Sequence, residues 1–195
     1  MQRVNSTVVI IVGDQKRRIL NGLTGMANVA VADESPERVP ELVARASTPY
    51  VVHDVDPLTD VAAAWAGFFD GTAPTGTLEV AIEAAIAALR DGRAQLPDYY
   101  IVLDPDDLPT TQRHWWLGVL ADAAPSRVVP APSSVNAVRA TLSRLPAGRW
   151  WPDPPDDWLR RLPNVVPDQA GLPTAVRLHH ESDLSRSPSS AASTG

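Results

Sequence analysis

Residues 6–14 read STVVIIVGD, a run rich in β-branched side chains and apolar at both odd and even positions. A strand of that kind buries both of its faces, as the central strands of a parallel sheet do. The run ends in glycine and aspartate, which are typical turn residues. We therefore expect a central strand here and not a secretory signal, because polar residues stand where a signal carries its cleavage site.

Four further apolar runs follow the first, and helical patterns alternate with them. The runs are ANVAVAD (27–33), PYVVHDVD (49–56), DYYIVLDPDD (98–107) and SRVVPAP (126–132). Helical spacing is present within 35–46, 57–70, 78–89, 109–123 and 133–145. Such alternation predicts an α/β fold, with helices on both faces of a five-stranded parallel sheet, over residues 1–145. The expected architecture is a doubly wound three-layer αβα domain.

The composition changes after residue 145. Residues 145–173 read LPAGRWWPDPPDDWLRRLPNVVPDQAGLP and are dense in proline and tryptophan. We expect an irregular, Pro/Trp-rich strap over 146–180 that packs on the domain. Residues 181–195 offer almost nothing to bury, which predicts a disordered tail.

Composition and charge exclude several classes of protein. The 195 residues are 44% hydrophobic and 21% charged, with a net charge of −6 and no cysteine. An acidic chain is unsuited to general nucleic-acid binding, which needs clustered Lys and Arg. The apolar runs are shorter than a membrane span, and disulfides and thiolate metal sites are impossible. We expect a cytoplasmic protein that binds neither nucleic acid nor membrane.

Aspartates follow four of the five predicted strands. They are Asp14, Asp33, Asp54 with Asp56, and Asp104 with Asp106 and Asp107. The carboxyl ends of parallel strands share one edge, where ligands bind. Carboxylates that meet there repel one another and favour Mg²⁺, so Asp14, Asp54 and Asp104 are candidate metal ligands. Each aspartate also precedes a helix or a proline, where aspartate caps and forms turns, and both interpretations stay open.

Other nucleotide and hydrolase signatures are absent from the sequence. The glycines of GLTGMA (22–27) lack dinucleotide-binding spacing, and no Gly-Lys-Ser/Thr or Gly-x-Ser-x-Gly motif occurs. His53 precedes Asp54 on the third predicted strand, where successive side chains point to opposite faces. We expect His53 to lie beneath a helix, away from Asp54.

Three stretches resemble the receiver domain of response regulators. They are VVIIVGDQKRRIL (8–20), PELVARASTPYVVHDVDP (40–57) and LADAAPSRVVPAPSSVNAVRATLSRL (120–145). The resemblance implies strand order 2-1-3-4-5, with Asp14 as the acid after strand one and Asp54 as the phosphate acceptor. Gly13 stands in place of a second acid, Asp104 in place of a hydroxyl residue and Ala131 in place of a lysine. Such changes imply a pseudo-receiver that keeps the fold without the phosphorelay chemistry.

The segment DVDPLT (54–59) resembles the nucleophile motif of haloacid-dehalogenase phosphatases, and its Asp-x-Asp is similar to that of Toprim domains. The phosphatase resemblance implies Asp54 as nucleophile and Asp56 as acid-base. A Mg²⁺-dependent phosphoryl-transfer enzyme or phosphatase is therefore the alternative function. In that enzyme Asp14, Asp54 and Asp104 would hold the metal.

Tryptophans mark a candidate partner surface. Helical spacing places Trp116 inward and Trp115 toward a boundary or the surface. Trp150, Trp151 and Trp158 lie among the prolines of the strap. Exposed tryptophans suit an interface, although a strap can also cover the helices of its own domain. We expect a regulatory or protein-interaction module that binds a partner or a second copy, with a small-ligand sensor in the acidic cleft as a third candidate.

Overall fold

The computed structural model describes residues 6–32, 38–146 and 155–165. Its strands are β1 (Thr7–Val12), β2 (Val29–Val31), β3 (Tyr50–His53), β4 (Tyr99–Leu103) and β5 (Val128–Ala131). Its α-helices are α1 (Lys16–Leu23), α2 (Val39–Arg45), α3 (Thr59–Phe69), α4 (Thr77–Arg90), α5 (Thr110–His114), α6 (Ala121–Ala123), α7 (Val135–Leu142) and α8 (Pro155–Arg161). Within these ranges, no helix combines the length and the apolar character needed to cross a membrane.

The five strands form one parallel sheet, as predicted, in the order β2-β3-β1-β4-β5. The order 2-1-3-4-5 implied by the receiver resemblance is wrong, because β1 lies between β3 and β4. Ile10 of β1 pairs with His53 on one side, and Val12 pairs with Val102 on the other. β1 is the longest strand and buries five consecutive residues, which suits it to the position with a neighbour on each side.

Helices cover both faces of the sheet. On one face, α1 and α7 pack on Val9 and Ile11 of β1. On the other, α3, α4 and the helix after β4 pack on Ile10 and Val12, while α2 packs on Val8. Connections between parallel strands are almost always right-handed crossovers. A connection that moves in one direction across the sheet therefore lies on one face, and a connection that moves in the other direction lies on the opposite face. The loop after β1 therefore leaves toward one face and the loops after β3 and β4 toward the other, which makes a crevice at the carboxyl end of β1.

The helix after β4 changes its winding at the paired tryptophans. It is α-helical as α5, becomes a π-helix over Trp115–Leu120 and ends as α6. Trp115 is only 1% exposed, whereas Trp116 is half-buried, so the predicted orientation of this pair is wrong. A π-helix bonds residue i to i+5 and has more residues in each turn, so the 3.6-residue spacing used for the prediction does not apply. Trp115 packs on Trp65, 5.7 Å between ring centroids, and lies in the core instead of on a partner surface.

The described part of the strap packs on α4. Residues 155–161 form α8 instead of an irregular segment, and a 3₁₀ turn follows at Leu162–Asn164. Trp158, Leu159 and Leu162 are buried in the same hydrophobic cluster as α3 and α4, so Trp158 too is a core residue and not part of an exposed surface. Ion pairs Arg160–Glu83 and Arg90–Asp156 join the two helices. Trp150, Trp151, the rest of the predicted strap and the predicted tail at 181–195 lie outside the described residues.

Gly13 is required at the end of β1 for two separate reasons. Its φ is +120°, a conformation that side-chain-bearing residues rarely adopt, and a β-carbon there would lie 2.9 Å from Cβ of Leu103. Gly25 also has a positive φ, +85°, but a β-carbon there would meet no atom within 4 Å. Gly25→Ala is therefore the matched control, since it carries the conformational cost without the contact.

We expect Gly13→Ala to lower the free energy of unfolding by about 1–3 kcal/mol more than Gly25→Ala does, because it adds overpacking against β4. Urea denaturation of the two variants and the wild type measures the difference. Equal losses in the two variants would show that β4 does not approach Gly13 closely.

Trp158→Ala tests whether α8 belongs to the core. Removal of a buried tryptophan side chain costs about 3–5 kcal/mol of unfolding free energy. Phe68→Ala is the control, because Phe68 is 45% exposed and its truncation should cost under about 1 kcal/mol. If urea denaturation gave the same small loss for both variants, α8 would not be docked on α4 in solution.

Candidate functional site

A cavity of about 450 Å³ opens at the carboxyl edge of the sheet, in the crevice beside β1. Asp14 and Lys16 line it from the loop after β1 and the start of α1. Asp56 lines it from the loop between β3 and α3, and Trp115 and Trp116 line it from the π-helical segment. We call this space the edge cavity. Its position follows from the strand order, because the loops on either side of it lead to opposite faces of the sheet.

Asp56 is a buried carboxyl group that is only half satisfied. Its Oδ1 accepts hydrogen bonds from the Tyr100 hydroxyl at 2.7 Å and from the backbone N–H of Leu58 at 3.0 Å. Its Oδ2 is buried and has no hydrogen-bond partner among the described residues. Burial raises the pKa of Asp56 from 3.8 to about 6, against the opposing effects of Tyr100, Leu58 and Lys16. A carboxyl that titrates near neutrality beside a cavity is typical of a functional residue.

Trp115 places an unused donor beside the same cavity. Its indole Nε1 is buried and has no acceptor within the described ranges. The neighbouring Trp65, deeper in the cluster, also has a buried Nε1 without an acceptor there. Buried polar groups are normally paired, and exceptions point to strain or to a partner that binds. Two residues that line the edge cavity, Asp56 and Trp115, thus each hold one polar atom that is closed to solvent and has no partner in the described part of the chain.

Asp54 follows β3 and lies on the face of the sheet that α1 covers, where two side chains of α1 form ion pairs with it. Its Oδ2 is 3.1 Å from Nε of Arg17 and 3.8 Å from Nζ of Lys16. The residue predicted as phosphate acceptor and nucleophile is therefore paired with two cations. His53 points to the opposite face beneath α2, as the alternation along the strand predicted.

Asp104 connects the ends of two strands. It adopts a left-handed backbone conformation with φ +40°, which aspartate tolerates better than most residues. Its Oδ1 accepts a hydrogen bond from the backbone N–H of Ser133, after β5, at 3.0 Å. Asp104 and the exposed side chain of Asp14 also line a second, polar cavity of about 350 Å³. Asp104 therefore acts as a turn residue whose side chain binds the backbone of the loop after β5.

The predicted magnesium ligands are not assembled into a metal site. The part of the chain that the structure describes contains no group of three or more His, Asp or Glu side chains that could hold a metal ion. β1 separates β3 from β4, so the loops that carry Asp54 and Asp104 start two strand spacings apart, about 9–10 Å. In the order 2-1-3-4-5 those two strands would have been neighbours. The donor set present therefore does not fit a shared Mg²⁺ ion.

Sequence patterns missed Tyr100 as part of the site. It lies on β4, is fully buried, and donates the hydrogen bond that orients Asp56. A tyrosine inside a central strand is the available signal, because a buried hydroxyl needs a polar partner. Its partner lies 44 residues away, so the pairing itself could not be read from the local sequence.

His53 lines a smaller cavity on the far side of Asp56. This space of about 190 Å³ is bounded by Val39 and Val43 of α2, and Asp56 lines both it and the edge cavity. His53 is 3% exposed, and its Nδ1 accepts a hydrogen bond from the backbone N–H of Val55 at 3.3 Å. Burial lowers the pKa of His53 from 6.5 to about 4, although Asp54 acts in the opposite direction.

Asp56 and His53 should affect stability with opposite signs over the same pH range. The folded-state pKa of Asp56 is raised, so its contribution to the free energy of unfolding falls as pH rises from about 4 to about 6. The folded-state pKa of His53 is lowered, so its contribution rises with pH between about 4 and 6.5. Each effect amounts to about 3 kcal/mol, since one pKa unit corresponds to about 1.4 kcal/mol. In the wild type the two largely cancel.

Asp56→Asn should therefore raise the free energy of unfolding at pH 7 by about 1–3 kcal/mol. The free energy of unfolding of this variant should also rise between pH 4 and 6.5, because only the His53 contribution remains. His53→Gln should add the opposite slope, a fall in stability between pH 4 and 6. Urea denaturation at several pH values, with each variant compared to the wild type, measures both slopes. Asp106→Asn is the control for the loss of an acidic side chain, because Asp106 is 95% exposed. Parallel curves for all three variants would contradict the assigned pKa shifts.

Comparison with known proteins does not assign the chain to a family. No protein-family model, curated protein or solved structure matches the chain. The resemblance to receiver domains therefore stays a hypothesis. The function has to be argued from the contacts, burial and charges of the edge cavity itself.

Proposed function

We propose that this chain is a regulatory domain that senses a small molecule bound in the edge cavity. One observation carries the proposal. A cavity at the carboxyl edge of a parallel sheet is lined by two residues, Asp56 and Trp115, that each hold a buried polar atom without a partner in the described residues. Buried polar atoms without partners are exceptions in folded proteins, and such exceptions concentrate at functional sites.

The size and walls of the edge cavity suit a small organic ligand. Its volume of about 450 Å³ lies within the usual range for small-molecule sites, roughly 300–1,000 Å³. Ala62, Leu108 and Trp116 supply apolar surface, and Asp14, Lys16 and Asp56 supply a few charged groups. Small-molecule sites combine apolar surface with a few placed polar groups, and the edge cavity carries both.

The contacts of Asp54 favour sensing over phosphoryl transfer. A nucleophile or phosphate acceptor needs a free carboxylate and a nearby metal, whereas Asp54 is paired with Arg17 and Lys16. Asp104 is engaged with the backbone of Ser133. Oδ2 of Asp56, the alternative acid-base, has no hydrogen-bond partner within the described residues. The regulatory part of the proposal rests on the receiver resemblance and the shared α/β class, without the strand order of that family.

The π-helical segment offers a route from the cavity to a partner. Trp115 and Trp116 belong both to that segment and to the cavity wall, so a ligand that contacts them would bias the winding of the helix. π-Helical turns inside α-helices occur frequently at functional sites. A protein partner, or a second copy of this chain, would then detect the change on the outer side of the helix from Thr110 to Ala123.

A fragment screen tests the proposal. Ligand-observed NMR would identify small aromatic and polar fragments that bind the wild type, and the hits would be titrated into two variants. Gln112→Trp fills the edge cavity from the exposed side of α5, and Asn136→Trp is its matched control on α7. We expect the hits to lose affinity at least tenfold in Gln112→Trp and to keep it in Asn136→Trp. Hits that bind both variants equally, or a screen without hits, would refute the proposal.

A further inference from the structure

A groove of about 650 Å³ opens to solvent between α3 and α4, the two helices that connect β3 to β4. We call this space the α3–α4 groove. Asp60, Thr72 and Thr77 are the polar members of its lining, and the rest of the lining is apolar. Most of the apolar members are small, among them Ala63, Ala64 and Gly67 of α3 and Ala81, Ala84 and Ala88 of α4. Small side chains leave room for the larger side chains of another helix, which pack into such grooves as ridges.

The two helices also expose apolar surface that the fold itself does not use. Val80 of α4 lines the groove and is 71% exposed. Phe68, which follows Gly67 on α3, is 45% exposed, and within the described ranges these two are the exposed large hydrophobic side chains. Exposed apolar surface that is gathered in one place, beside a concave site, is typical of a protein-interaction surface.

The charge of this part of the chain has one sign. Between Arg45 and Arg90 the sequence contains six acidic residues and no lysine or arginine. Asp60 lines the groove, and Glu79 is exposed on α4 next to Val80. Apolar surface with acidic neighbours complements a partner that combines an apolar stripe with lysine or arginine.

The same charges decide between the possible occupants of the groove. A second copy that docked the same two helices symmetrically would bring Asp60 and Glu79 of both copies together. A nucleic acid or an anionic membrane would meet repulsion of the same kind. A cationic polypeptide is therefore the occupant that the groove favours, and its shape is given by the long, narrow surface between two helices, which suits a third helix.

We infer that the α3–α4 groove binds a cationic amphipathic helix of a partner protein. The apolar side chains of that helix, spaced at i, i+3, i+4 and i+7, lie on the alanines of α3 and α4. Its lysine or arginine side chains pair with Asp60 and Glu79. The inference goes beyond the proposed function, because it concerns a different surface and does not require a ligand in the edge cavity.

Three matched peptides serve as probes. The first has 14 residues, the length of α4, with leucines on one helical stripe and lysines elsewhere. The second keeps the leucines and replaces every lysine with glutamate. The third has the composition of the first in an order that destroys the stripe. Each peptide carries a fluorescent label, and its binding to the full chain is followed by fluorescence anisotropy at physiological salt, where attraction between distant charges is screened.

A matched pair of variants locates the binding site. Ala84→Arg places a long cationic side chain in the groove, whereas Ala87, which is exposed on the same helix, is not among the residues that line it. Ala87→Arg is therefore the control, because it changes the net charge by the same amount and affects non-specific attraction of a cationic peptide equally. Circular dichroism and urea denaturation establish that both variants fold.

We expect the leucine–lysine peptide to bind the wild type more tightly than either of the other peptides. Ala84→Arg should weaken its binding about tenfold or more, and Ala87→Arg should change it by less than about threefold. Asp60→Asn combined with Glu79→Gln should weaken binding more than Asp106→Asn combined with Asp122→Asn, which removes the same charge elsewhere. Equal affinities of the two arginine variants, equal binding of the three peptides, or no binding at about 1 mM would overturn the inference.

Two further measurements separate this inference from the alternatives. Sedimentation of the wild type and Ala84→Arg should be identical, whereas an oligomer of the wild type that Ala84→Arg dissociates would assign the groove to a second copy and overturn the inference. The Gln112→Trp variant, which fills the edge cavity, should bind the leucine–lysine peptide as tightly as the wild type. The sensing function and the partner groove can therefore fail independently of each other.

Discussion

The pairing of β1 on both sides is the constraint on which the rest of the structure depends. A strand with five consecutive buried residues has no face to give to water, so it takes the centre of the sheet, between β3 and β4. Its loop then leaves toward α1 while both neighbouring loops leave toward the opposite layer. This divergence of the loops creates the crevice, and the edge cavity lies within it.

Within that crevice, Asp56 is costly for the folded protein. A buried carboxyl group with one oxygen that no described residue pairs destabilises the fold by an amount that Tyr100 and Leu58 offset only in part. An asparagine in the same place would retain the two existing hydrogen bonds without the cost of ionisation. Local arrangements that sacrifice stability without a structural gain are expected at functional sites. His53, on the other side of Asp56, is also buried, and burial lowers the pKa of His53 whereas it raises the pKa of Asp56.

The hydrophobic core connects the edge cavity to the outer helices. Trp115 reaches from the cavity wall to Trp65 of α3, and the same hydrophobic cluster continues through α4 to Trp158 and Leu159 of α8. Ion pairs between α4 and α8 lie along this contact. A change of winding at the π-helical segment therefore acts on a continuous packed layer. Packed cores can hold two discrete arrangements, and such a change in this layer is how the proposed sensing function would transmit ligand binding.

The sequence by itself determined the five strands, most of the helices that separate them and the faces that most of these elements bury, whereas α1, between β1 and β2, was not among the predicted helices. Those features follow from local periodicity, so the apolar stripe of α4 and the position of His53 beneath a helix were predicted correctly. Only the tertiary structure decided the order of the strands, because the order 2-1-3-4-5 also places β1 between two neighbours, so the apolar pattern of β1 fits both orders. That order separated Asp54 from Asp104, and the hydrogen bond of Asp56 with Tyr100 is made across β1. It also buried Trp115, because the hydrogen bonds of a π-helix depend on packing and leave no mark in a 3.6-residue pattern.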